Sequence, residues 1–169
     1  MNIVRNAGIA GTILAAAIGW ASAEAGAPFD RAQVERGRYL VTIGGCNDCH
    51  TSGYLERSGA VPEHEWLTGM AIGYQGPWGT TYPSNLRLVA SRMSAEEWVE
   101  HARKERMPPM PWFNLRAMTD SDLVAVYAYV RSLGAPGEAA PAYVAPGGRV
   151  TTPYFVFVPR QDDPRAATR

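Results

Sequence analysis

The chain of 169 residues has only two cysteines, and both stand in Cys46-Asn47-Asp48-Cys49-His50. Three chemistries use thiols at this spacing. A structural zinc site takes about four protein ligands. Besides His50 only His64 and His101 are available, and there is no second paired motif. A thioredoxin-like redox pair opens a helix after a strand, inside a βαβ unit. The segment before Cys46 reads instead as a helix, and no parallel-sheet pattern is visible. The third chemistry is covalent attachment of one c-type haem. Two thiols on one turn add to its two vinyl groups, and the following histidine comes to lie beneath the iron. That chemistry requires each of these residue types in this order, and the motif supplies all of them.

A haem with one protein ligand binds gases or peroxide, whereas one with two strong ligands carries electrons. The second ligand therefore decides the function. The candidates are Met70, Met93, Met107, Met110, Met118, His64 and His101. Met107 and Met110 lie in Arg106-Met107-Pro108-Pro109-Met110-Pro111-Trp112. The prolines forbid helix interior and restrict the residues before them, leaving a stiff, extended loop. A thioether held by such a loop loses little entropy on ligation. Met110, with proline on both sides, is the first choice and Met107 the second. Met93 and Met118 read as core filler. His101, in Glu100-His101-Ala102-Arg103-Lys104, and His64, in Pro62-Glu63-His64-Glu65, read as solvated surface histidines.

The elements that must position these residues are few. The apolar stretch from Ala7 to about Trp20 follows Arg5 and precedes Ala21-Ser22-Ala23, with Ala23-Glu24-Ala25 as a second cleavage frame. Residues 1–23 are thus expected to be a secretory signal and the protein periplasmic. The alternative is an uncleaved anchor, and only then would the chain contact a membrane. The run is shorter than the roughly 20 residues that span a bilayer. The charge balance of 16 basic and 16 acidic residues argues against a nucleic-acid binder, which would carry a basic stripe. The hydrophobic fraction of 46% excludes a disordered chain. Cleavage after Ala23 removes Arg5 and no acid, leaving the mature chain slightly acidic.

Asp30 to Ile43 reads as the first helix, capped by Asp30 with Gln33 three residues on, and with Val34, Gly37, Leu40 and Val41 on one face. Gly37 is tolerable there if another helix crosses closely. Ser94 to Lys104 reads as a second, with a Ser94–Glu97 capping box and Trp98 and Ala102 facing inward. A helix running to Leu133, capped by Thr119 or Ser121 and ended by Gly134, carries Leu123, Val126, Tyr127 and Val130 on one stripe.

Helix, C-x-x-C-H, long loop, short helix, methionine loop and terminal helix together resemble the class I cytochromes c over about residues 31–134. More narrowly, the chain resembles the small cytochromes c of proteobacteria that act with periplasmic dehydrogenases. In those, a segment like Pro109-Met110-Pro111-Trp112 supplies the axial methionine, and one like Tyr82-Pro83-Ser84-Asn85-Leu86 forms a haem-edge loop. The resemblance implies an all-α cytochrome c fold, with three to four helices and long loops around one haem. It also implies a place near the haem for Asn85, whose other reading is a turn residue. Tyr82 and Trp78 could line the pocket or donate to a haem propionate, or serve as core aromatics. The implied function is one-electron carriage rather than enzymatic catalysis. The implied donor is a periplasmic dehydrogenase, and the acceptor another cytochrome or a terminal oxidase. Near-neutral charge implies weak electrostatic steering of these partners.

Residues 24–134 are thus the expected haem domain, and residues 135–169 a Pro/Gly/Ala-rich extension. Within it, Thr151 to Val158 is apolar and β-prone. It reads as a strand or extended arm on the domain's own surface, with a docking arm for a partner as the other reading. Arg165 to Arg169 is expected to be disordered.

Overall fold

The computed structural model describes residues 29–159. The expected signal segment and the expected disordered tail lie outside these residues.

Two long helices form the frame. Helix α1 is Arg31–Ile43, and Asp30 caps it by accepting from the Ala32 N–H. This cap forms without a reciprocal bond from Gln33. Five more helices follow: α2, Cys46–His50; α3, Leu86–Ala90; α4, Ala95–Ala102; α5, Trp112–Ala117; and α6, Asp120–Ser132. Thr119 caps α6 through the Asp122 N–H. The Ser94–Glu97 capping box on α4 is formed in both directions.

Helices α1 and α6 cross at Gly37. A Cβ there would lie 2.0 Å from the Ala125 carbonyl oxygen and 2.7 Å from Tyr129 Cβ. Only glycine permits this approach, which is why a residue poor in helix propensity stands mid-helix. Leu40 and Val41 of α1 pack with Val126, Tyr129 and Val130 of α6, and Trp98 of α4 joins the same core. Arg36 donates from both Nε and Nη2 to Asp122, tying the two helices at the surface.

The chain is mainly helical, in keeping with the all-α expectation, but it has six α-helices among the described residues where three to four were expected, because the three extra ones are single turns of five or six residues. Among the described residues there are three short strands: β1, Gly73–Gly76; β2, Gly79–Thr81; and β3, Tyr154–Val156. Their order is β2-β1-β3. Strands β1 and β2 form an antiparallel hairpin in which Gly76 pairs with Gly79. Gly79 has φ +97°, and a Cβ on it would meet the Val144 carbonyl oxygen at 2.3 Å. Strand β3 pairs in parallel with β1, aligning Tyr74 with Phe155. The strands are too short and glycine-rich for alternation to reveal them, and the parallel pair joins segments about 80 residues apart in sequence. No helix forms in 135–159. The aromatics of β3 stay about half exposed despite the pairing. No helix among the described residues is long and apolar enough to cross a membrane.

Candidate functional site

Helix α2 is a single turn, entered through Gly45 at φ +66°. Cys46 and Cys49, three residues apart, fall on one side of that turn. His50 is buried, with Nδ1 2.7 Å from the Ser84 carbonyl oxygen. A carbonyl can only accept, so Nδ1 carries the proton and the Nε2 lone pair is free. Burial lowers the His50 pKa, partly opposed by the Ser84 bond, and keeps the ring neutral. The turn is braced from behind. Thr51 Oγ1 donates to Asn47 Oδ1 at 2.7 Å and accepts from the Leu67 N–H at 2.8 Å. The Gly69 N–H donates to the His50 carbonyl at 2.7 Å.

Burial and the nearby Asp48 push the Cys46 thiol up to about 11. No cluster of three or more His, Cys, Asp or Glu side chains that could hold a metal ion occurs among the described residues. The described residues therefore weigh against the zinc reading of the motif.

Cys46, Cys49 and His50 line a cavity of about 290 Å³. Met107 and Met110 line it too, so the methionine loop does face the attachment turn. Met107 is nearly half exposed and Met110 less so. The loop is held by Thr81 Oγ1, which donates to the Pro108 carbonyl at 2.8 Å, so hairpin β1–β2 braces it. Met118 also lines the cavity, with its Cε close to Gly44, whereas Met93 packs against the core. Tyr82 lines the cavity with its hydroxyl 2.7 Å from Thr152 Oγ1.

Several expected placements differ. Asn85 does not line the cavity. Its Oδ1 accepts from the Arg87 and Leu88 N–H groups, capping α3, and its Nδ2 donates to the Pro136 and Glu138 carbonyls. Both polar atoms of its side chain thus bond to backbone groups of the chain. Trp78 also lies outside the cavity wall. His101, expected on a solvated face, lines the cavity and stacks on Trp98 with ring centroids 6.3 Å apart. Burial, then Arg106 and Lys104, lower its pKa. His64 is exposed, as read from its charged surroundings.

Sequence reasoning missed Ser84, Arg106 and Arg87. Ser84 contributes a backbone carbonyl, which has no sequence signature. Arg106 lines the cavity beside Met107. Arg87 is buried and donates to the Gly134 and His64 carbonyls, joining the segments on either side of the site.

A haem fits these residues. The cavity pairs two thiols and a neutral histidine with an apolar wall and a thioether loop. One of its lining residues, Trp98, has a buried Nε1 with no partner among the described residues.

The family model described as Cytochrome c matches residues 34–134. A nicotinate dehydrogenase chain of Pseudomonas putida is 28% identical over 123 residues, which cover 66% of this chain. The chain spans 9% of that relative's length. No solved structure matches.

Proposed function

The chain belongs to the cytochrome c family, whose members carry covalently bound c-type haem and transfer electrons through it, and on this premise we propose that it is a periplasmic one-electron carrier in which His50 and Met110 would hold the haem iron. The observation that carries the reading is the cavity wall itself. His50 presents a free Nε2 from the attachment turn, and Met110 reaches the same cavity from the proline loop.

When bound, the haem supplies one-electron iron chemistry. Cys46 and Cys49 would hold it through thioethers. Ser84 fixes the His50 ring through Nδ1 and so keeps Nε2 unprotonated. Met110 would supply a soft ligand, which favours the ferrous state and raises the potential relative to a harder one. Leu123 and Val126 of α6 contribute apolar side chains that keep water from the cavity. None of these roles requires a general acid or base, consistent with electron carriage rather than catalysis.

The sequence pattern of residues 1–23 supports export. The similarity to part of a dehydrogenase chain supports a dehydrogenase as electron donor. Another cytochrome or a terminal oxidase is the acceptor that this chemistry implies.

The test is the absorption spectrum of the purified, export-matured protein, oxidised and reduced, with CO added to the reduced form. Sharp reduced bands of a low-spin c-type haem, a Met–iron charge-transfer band when oxidised, and no response to CO are expected. High-spin bands with rapid CO uptake would replace this reading with a haem enzyme or gas sensor. No haem at all would return the cysteine pair to thiol chemistry.

A further inference from the structure

The cavity wall is chemically uneven. Most of it is apolar, and no Asp or Glu among the described residues lines it. Yet Trp98, His101 and Arg106, from α4 and the loop that follows it, are three lining residues that carry N–H donors.

These donors are poorly used within the protein. Trp98 is only 5% exposed, and its Nε1 has no partner among the described residues. The His101 ring makes no hydrogen bond among the described residues. Arg106 gives Nη2 to the His101 carbonyl at 2.6 Å and Nη1 to its neighbour Glu105 at 3.3 Å, but pairs with no carboxylate among the described residues. A half-buried guanidinium without a counter-charge and a buried indole N–H without an acceptor are both costly. Their shared deficit is an anionic acceptor, and it lies at the cavity.

A c-type haem carries two carboxylates on an otherwise apolar ring. We infer that Trp98, His101 and Arg106 form the propionate end of the haem site, Arg106 by charge and the two ring N–H groups by donation. This rests on the haem reading above. It gives His101 a role outside axial ligation, and it accounts for a histidine and an arginine facing an apolar cavity. Guanidinium–carboxylate pairing is strong and geometrically selective, so Arg106 is the main anchor.

The test uses the holoprotein and resonance Raman spectroscopy, in which propionate bending reports hydrogen bonding to the carboxylates. Arg106→Gln and Trp98→Phe are each expected to move that band to lower frequency, with the axial-ligand bands unchanged. Arg106→Lys should restore part of the shift, because it keeps the charge. His101→Asn should give the smallest displacement. Because Arg106 is partly exposed, its variants keep the test open if Trp98→Phe fails to fold. An unmoved propionate band in the Arg106 variants would overturn the inference while leaving the haem reading intact. Absence of all haem bands would instead overturn the haem reading, and this inference with it.

Discussion

The two walls of the cavity are built by different means. The attachment turn is buried and hydrogen-bonded from several directions: Ser84 holds His50, Thr51 holds Asn47 and Leu67, and Gly69 holds the turn's last carbonyl. The methionine loop is more exposed. Its inner bonds are Met110 N–H to the Met107 carbonyl at 3.3 Å and Trp112 N–H to the Met110 carbonyl at 2.9 Å. Its outer brace is the Thr81 hydroxyl. Proline stiffness does in this wall what hydrogen bonds and burial do in the other. A network of buried bonds holds its ligand in one place, whereas a stiff exposed loop can swing as a unit. The His50 side should therefore be the more permanent half of the site and the Met110 side the more replaceable.

The largest test of this contrast is removal of the attachment chemistry. Cys46→Ala/Cys49→Ala should abolish covalent haem altogether, read as loss of haem staining on a denaturing gel. Persistence of the stain would refute the attachment assignment. Met110→Ala should keep the haem covalently bound but open the sixth position. CO would then bind the ferrous form, and the midpoint potential would fall. The same change at Met107 should leave both properties unaltered, and a reversed result would exchange their roles.

Both walls depend on the α1–α6 crossing. Gly37→Ala drives a methyl into the Ala125 carbonyl and should cost about 1–3 kcal/mol of holoprotein stability in urea titration. A neutral outcome would mean that the helices slide apart without penalty. Thr81→Val removes the outer brace and should cost about 0.5–1.5 kcal/mol. Its signature should be faster CO entry with covalent attachment intact. If attachment fails instead, the two walls are not separable. The smallest effect concerns steering: with equal numbers of acidic and basic residues, electron exchange should slow little with added salt. Strong slowing would reveal a charged docking face.

Local pattern made the frame legible. Gly37, the Ser94–Glu97 box and the Leu123–Val130 stripe are short-range signals, and each predicted helix appears where its pattern lies. The short helices and the sheet were not legible, because helices of five or six residues and strands of three or four carry too few periods to register. Asn85 shows the limit of reasoning from resemblance. Its segment reaches the cavity, but its side chain turns to the Pro136 and Glu138 carbonyls. His101 shows the limit of reasoning from composition. Charged neighbours on a helix indicate an exposed face, but they do not show where a cavity opens beneath one turn of it.

The sequence alone determined the attachment chemistry, because two thiols and a histidine within five residues are positioned by a single turn. It also narrowed the distal ligand, because the stiffness that proline imposes on Met107 and Met110 is local. Tertiary structure decided everything that joins distant segments. The Ser84 carbonyl sets the His50 tautomer from 34 residues away, Thr81 reaches Pro108 across 27, and β3 closes the sheet from the far end of the chain. Such contacts depend on backbone groups and on which face a helix turns inward. Neither is written in residue type, so packing alone could select them.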